Sequence, residues 1–245
     1  MKKVVLLIVT MLMLVSAQAG VVDHDKMFEA YLKGDLQTWK SELTKYTSCK
    51  NLTFDDKCEI ANYLYGYIGF IVDGKGKKDE VEGWLKIFDS YIELMIKNPK
   101  TESMGHLYKA GSAGMKAKLY KGKLVSYGVN TLKELDKALE VDPNNPIAIG
   151  LKGNTKYYAP GILGGSKTKA LSYYAKAIKM LQANCPKVYR WNLWALKLCV
   201  VEAYVGLGED EKAKNYYEQV MKAEPRFMLL KRSYESGNFG NHVSE

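Results

Sequence analysis

The stretch whose residue types come nearest to a known chemistry is Gly161-Ile162-Leu163-Gly164-Gly165-Ser166-Lys167-Thr168. It departs from the phosphate loop G-x-x-x-x-G-K-[ST] only by Ser166 in place of the last glycine. A phosphate loop follows a buried strand, and its glycines let backbone N–H groups close around the anion. Here Ala148 to Tyr158 read as helix, and Ser166 adds a side chain where the backbone must approach closely. A long turn accounts for the same residues: glycines for backbone geometry, Ser166 or Thr168 as helix cap, Lys167 in solvent.

Other reactive types are sparse. The chain has three histidines, His24, His106 and His242, and no two of them, nor any Cys-x-x-Cys, show metal-ligand spacing, so neither a metal nor another cofactor is expected. No serine or cysteine has an evident base beside it, and the chain is read as a non-enzyme. Cys49, Cys58, Cys185 and Cys199 make an even count. Cys49 and Cys58 flank the polar turn Lys50 to Lys57 and are expected to form a disulfide after export, whereas Cys199 sits in an apolar helical pattern and is expected buried and unpaired.

Export follows from the first residues. Lys2 and Lys3 precede an apolar run from Val4 to Val15 and the small-residue site Ser16-Ala17-Gln18-Ala19, the layout of a signal peptide over residues 1–19. The run is shorter than the ~20 residues that span a bilayer. No later stretch is longer and apolar, so residues 20–245 are expected to form one domain without an integral span, in the periplasm of a Gram-negative cell or outside it. The formal charge is +9. The lysines are read as solvated helix faces mixed with Glu and Asp, without the Arg-rich block of a nucleic-acid footprint.

The elements that carry these residues repeat. A shift of 39 residues lays Gly114 on Gly153, Gly122 on Gly161, Leu132 on Leu171 and Ala138 on Ala177. A shift of 43 lays Ala170 on Ala213, Tyr174 on Tyr217 and Ala177 on Val220. Within the units, Ala170, Leu171, Tyr174, Ala177, Ile178 and Leu181 mark one face of a helix that ends before Asn184-Cys185-Pro186. Val81, Trp84, Leu85, Phe88, Ile92 and Met95 do the same before Asn98-Pro99. Leu132, Leu135, Ala138 and Leu139 do so before Asp142-Pro143. The fold expected is all-α: about ten helices in antiparallel pairs over residues 25–225, with Met27 to Leu32 starting the row and Phe227 to Leu230 closing it.

Residues Ala195 to Pro225, with Tyr204, Gly208, Ala213, Tyr217, Val220 and Pro225, resemble one tetratricopeptide repeat. Gly153, Ala170, Tyr174, Ala177 and the ending Ala138 to Pro146 fit the same scheme, with longer loops inside the pairs. The loop Tyr157-Tyr158-Ala159-Pro160 with Gly164-Gly165 resembles one in exported bacterial repeat proteins, and more distantly the repeat-containing accessory subunit of tripartite periplasmic transporters. The resemblance implies an α-solenoid in which Gly153, Ala170 and Ala177 let paired helices approach, while Tyr174 and Tyr217 fill the space between neighbouring pairs. It also implies a groove lined by the residue after each small Gly and by the one a turn on: Asn154 and Tyr157, Met115 and Lys118, and Glu202, with Tyr158 at the rim.

Two functions follow. One is a binding module whose groove holds a protein or peptide segment. The other is a carrier or transport accessory that holds a small apolar ligand between helix pairs. An enclosed aromatic cavity of several hundred Å³, in order-of-magnitude terms, distinguishes the second from the first.

Overall fold

The computed structural model describes residues 20–73 and 76–239. The leader read at residues 1–19 and the last residues, with His242, lie outside the described residues. Among the described residues there are eleven α-helices and no strand. They are α1 (His24–Lys33), α2 (Leu36–Thr47), α3 (Phe54–Ile71), α4 (Lys78–Ile96), α5 (Glu102–Leu119), α6 (Leu124–Val141), α7 (Pro146–Tyr158), α8 (Lys167–Ala183), α9 (Arg190–Gly206), α10 (Asp210–Ala223) and α11 (Met228–Ser236).

Local chemistry sets these boundaries. Asp23 and Asp35 cap α1 and α2 by accepting from Lys26 N–H and Thr38 N–H, and Thr53 with Asp56 forms a reciprocal capping box on α3. Asn145 accepts from the amides of Ile147 and Ala148 at the start of α7, with Pro146 in the first helical position, where its missing N–H costs nothing. The stops before Pro99, Pro143 and Pro186 fall where the sequence pattern places them. The long loop between α7 and α8 is held by a cap and a close backbone approach. Ser166 accepts from Lys169 N–H to cap α8, and a Cβ on Gly165 would stand 1.8 Å from the Ala159 carbonyl oxygen. Lys167 is not left to solvent: its Nζ donates to the Gly206 carbonyl and lies 5.7 Å from the Tyr157 ring centroid.

Consecutive helices pack side by side as hairpins, and α3, α5, α7 and α9 also touch in sequence along one side of the row. Small residues permit the closest approaches. A Cβ on Gly153 would lie 2.5 Å from the Tyr174 ring, and the Tyr174 hydroxyl donates to Asn154 Oδ1 at 2.8 Å. Tyr174 therefore fills its own α7–α8 pair and not, as expected, the space between pairs. Tyr217 stacks on Tyr234 with ring centroids 4.1 Å apart, between α10 and α11.

The two ends of the row meet. α1 packs against α9 and α11, and Tyr31 lies 5.7 Å from both Trp191 and Phe227, ring centre to centre. The chain contains three arginines, and all three reach α1: Arg190 donates to Asp25 and to the His24 carbonyl, Arg226 to Glu29, and Arg232 to the Lys33 carbonyl. A buried carboxamide ties the middle together. Asn62 Nδ2 donates to the Val188 carbonyl at 2.7 Å and to Asn192 Oδ1 at 2.9 Å, while its Oδ1 accepts from the Tyr108 hydroxyl at 3.0 Å.

The expected disulfide is absent. All four cysteines are free. Cys49 follows the end of α2 with its thiol 3.4 Å from the Lys45 carbonyl, whereas Cys58 lies in the second turn of α3, where burial pushes its pKa up to about 11. The second exception to the pattern is Leu132, which is 53% exposed although it shares a face with buried Leu135 and Ala138 in heptad terms.

Gly66 illustrates how tightly the centre is packed. A Cβ there would stand 2.7 Å from the Trp39 ring and 2.8 Å from the Trp191 ring, so Gly66→Ala should destabilise the protein by about 1–3 kcal/mol. Gly83, on the exposed side of α4, has nothing within 4 Å of its Cβ position, and Gly83→Ala should stabilise by about 0.4–1 kcal/mol. Urea denaturation of the two variants should therefore move in opposite directions.

Candidate functional site

The four inner helices each present one stripe at helical spacing. On α3 it is Gly66, Gly69, Phe70 and, just past the helix, Asp73; on α5 it is Gly111, Gly114, Met115 and Lys118. On α7 it is Leu151, Asn154, Thr155 and Tyr158, and on α9 Trp191, Ala195, Leu198, Cys199 and Glu202. These stripes surround a cavity of about 430 Å³, with Leu229, Ser233 and Phe239 beside it. Glycines create the room. Without a side chain at Gly114, the space reaches Thr131 of α6.

Contacts between the stripes fix their heights. At one end Gly66 meets Trp191, and Gly111 meets the Tyr65 ring, where a Cβ would stand 2.5 Å away. At the other end Lys118 Nζ lies 2.7 Å from Asp73 Oδ1, and the Tyr158 hydroxyl donates to Glu202 Oε1 at 3.1 Å. The helices α3, α5, α7 and α9 thus run parallel, and the cavity has a floor and a rim of different chemistry. The floor is aromatic, made by Tyr31, Tyr65 and Trp191 with Phe70 above them, and is closed underneath by the Asn62 hydrogen bonds. The rim carries Asp73, Lys118, Tyr158 and Glu202, two acids and one cation, where each inner helix ends.

Asn154, Tyr158, Met115, Lys118 and Glu202, singled out from sequence, all line this one cavity. Tyr157 does not. It stands edge-on to Tyr158, ring centroids 4.7 Å apart, and its hydroxyl donates to the Glu202 carbonyl at 3.5 Å, so it props the rim from behind. Cys199 is free as expected, but it is a wall residue of the cavity. Sequence reasoning missed the contribution of α3 and the aromatic floor. A signal existed: a shift of 45 residues lays Tyr63 on Tyr108, Gly66 on Gly111, Gly69 on Gly114 and Asp73 on Lys118.

The described histidines are engaged elsewhere, His24 with Tyr63 and Glu59, and His106 with Glu134 at 2.7 Å. Among the described residues no cluster of His, Cys, Asp and Glu is arranged to hold a metal, and no helix is long and apolar enough to cross a membrane.

Paired helices around an aromatic cavity with a polar rim define an all-helical scaffold with an internal cavity. No protein-family model matches the sequence, and no curated protein matches it. Among solved structures the fold is similar to the HusA haemophore from Porphyromonas gingivalis, with a TM-score of 0.54 and 16% sequence identity over 76% of this chain and 94% of that chain.

Burial raises the carboxyl pKa of Glu202 above its ordinary value, against the lowering pull of the Tyr158 and Tyr157 hydroxyls and the Lys118 and Lys167 ammonium groups. A carboxyl raised in the folded chain favours folding when protonated. That contribution is complete below the unfolded value and lost as pH rises through the folded one. Glu202→Gln keeps the volume and an acceptor for Tyr158 without the charge. Its thermal midpoint should exceed that of the parent at neutral pH, and the difference should vanish below about pH 4.

Proposed function

We propose that this chain is a non-catalytic carrier that holds a small, flat, largely apolar molecule in the cavity between its inner helices, with a tetrapyrrole as the ligand class. The observation that carries this reading is the cavity itself. Its volume of about 430 Å³ lies within the ~300–1,000 Å³ of small-molecule sites, and its floor of Tyr65, Phe70 and Trp191 offers faces on which a planar ring stacks. A fold shared with a protein called a haemophore supports that class. Iron is not required for retention on this reading. The wall side chains able to meet a metal are the sulfurs of Met115 and Cys199, the phenols of Tyr31, Tyr65 and Tyr158 and the rim carboxylates Asp73 and Glu202, while its apolar faces supply stacking and burial whether or not a metal is present.

An extended peptide suits the site less well, because the stripes converge on a floor where a peptide needs a groove open at both ends. The binding residues of the carrier are then Asn154, Met115, Lys118, Tyr158 and Glu202 with the aromatic floor, and Tyr157 supports them. Export, from the leader pattern at residues 1–19, places the carrier in the periplasm or outside the cell. The tetratricopeptide-like ancestry is likewise a proposal. It rests on the repeat shifts and on the small-against-aromatic packing of Gly153 and Tyr174.

Titration with protoporphyrin IX and with haem, followed by quenching of tryptophan fluorescence and by the ligand's absorbance, tests the carrier. Both should bind, with Trp191 in the cavity floor reporting. Gly69→Leu and Gly114→Leu place side chains into the cavity from positions where a Cβ meets nothing nearer than 3.7 Å, and leucine favours helix. Each should keep the fold and weaken binding at least about tenfold, or about 1.4 kcal/mol. Absence of binding by the parent at about 100 µM ligand, an affinity below roughly 5–6 kcal/mol, would sink the reading.

A further inference from the structure

The chain's positive charge is not spread evenly, as a mixture of lysines with acids would have it. From Ser103 to Val201 there are sixteen lysines and arginines and four acids, Glu134, Asp136, Glu140 and Asp142. All four acids fall in the second half of α6 and the turn after it. In the hairpin order of the helices, that turn lies at the floor end of the cavity. The opposite end of α5 to α8, where the cavity rim is, carries Lys116, Lys118, Lys121, Lys123, Lys156, Lys167 and Lys169, with the rim acids Asp73 and Glu202 held by Lys118 and Tyr158. Some are engaged locally, Lys116 with Asp89 and Lys118 with Asp73, and Lys121 and Lys123 are exposed in the single turn joining α5 to α6.

Large apolar side chains project among these lysines. Ile162, in the turn between α7 and α8, is 94% exposed, and Leu124, Val125 (79%) and Val129 (62%) lie on the first turns of α6, whose first ten residues bury no side chain. These residues come from two separate segments at the same end of the helical row and stand out as tips. A rigid protein partner is met by a matching surface, whereas tips of Ile, Leu and Val ringed by lysines suit a soft surface that is anionic outside and apolar just beneath.

We infer that the rim end of α5 to α8 docks on the surface of an anionic lipid bilayer, with Ile162, Leu124 and Val125 entering the headgroup region and Lys121, Lys123 and Lys169 above the lipid phosphates. The docked chain presents the cavity rim to the membrane. This holds whatever the cavity carries, since it uses none of the cavity's wall residues.

Flotation of the folded chain with vesicles gives the test. It should float with an equimolar mixture of phosphatidylcholine and phosphatidylglycerol, stay behind with phosphatidylcholine alone, and be released as salt approaches about 1 M. The double variants Val125→Glu/Ile162→Glu and Lys121→Glu/Lys123→Glu should each lower the bound fraction at least about fivefold at unchanged thermal midpoint, because every altered side chain is exposed. Several outcomes would overturn the proposal: no flotation with anionic vesicles, equal flotation with neutral ones, or variants that bind like the parent. Two more would reassign the face. A dimer in solution that Val125→Glu dissolves would give it to a second copy, and binding to single-stranded DNA without vesicle binding would give it to a polyanion.

Discussion

One buried carboxamide sets the heights of the helices on which everything else rests. Asn62 is 1% exposed, and a polar group so placed must find partners or cost the fold their full desolvation. It finds three, from α5, from α9 and from the turn before α9. Those partners lie 46 to 130 residues away in sequence, so they fix long-range register and not local shape. With α3, α5 and α9 pinned at one level, helical spacing carries their stripes upward in step. Asp73 then reaches Lys118, and α7 brings Tyr158 to Glu202. The cavity has its depth and its two chemistries because the stripes on four parallel helices are level at the floor and again at the rim.

Room inside that frame comes from omission. Gly66 and Gly111 are needed for contact, since Trp191 and Tyr65 occupy the positions their side chains would take. Gly69 and Gly114 lie one turn higher, where a side chain would fit, and their absence leaves space. A packed interior normally fills such volume, because unfilled apolar space forfeits dispersion contacts. A fold that keeps about 430 Å³ open next to fully buried aromatics therefore leaves stabilisation unused that an occupant would supply.

Much of the helical scaffold was legible because apolar periodicity and proline stops are local signals. Val81 to Met95 and Ala170 to Leu181 bury the faces their spacing predicts. The wall at Met115 and Asn154 was legible for a related reason: the residues after Gly114 and Gly153 fall on the inner face once the pairs stack, and Lys118 and Tyr158 follow about a turn on. The floor was not, because Tyr31, Tyr65 and Trp191 look like ordinary core aromatics until α1, α3 and α9 are brought together. Leu132 misled in the opposite sense. Its period matches Leu135 and Ala138, but α6 leaves the core over its first half, and periodicity has no means of marking where a helix stops being covered. For Cys49 and Cys58, closeness in sequence gave no hint that one sits past the end of α2 and the other faces inward on α3.

The placement of the three arginines has a consequence in time. Hairpin neighbours such as α5 with α6 and α7 with α8 can pair as soon as both have been synthesised, at small loop-closure cost. α1 is made first, yet its clamps come from Arg190, Arg226 and Arg232, up to 199 residues later. Until the last of these has emerged, Tyr31 can pack on Trp39, Phe70 and Trp191, but the contacts of α1 with Phe227 and with Arg226 and Arg232 are still missing. The ring of helices around the cavity is thus completed only near the end of synthesis. A chain truncated before α11 would keep most of its helices and still lack the Arg232 clamp and the Leu229 and Ser233 side of the cavity.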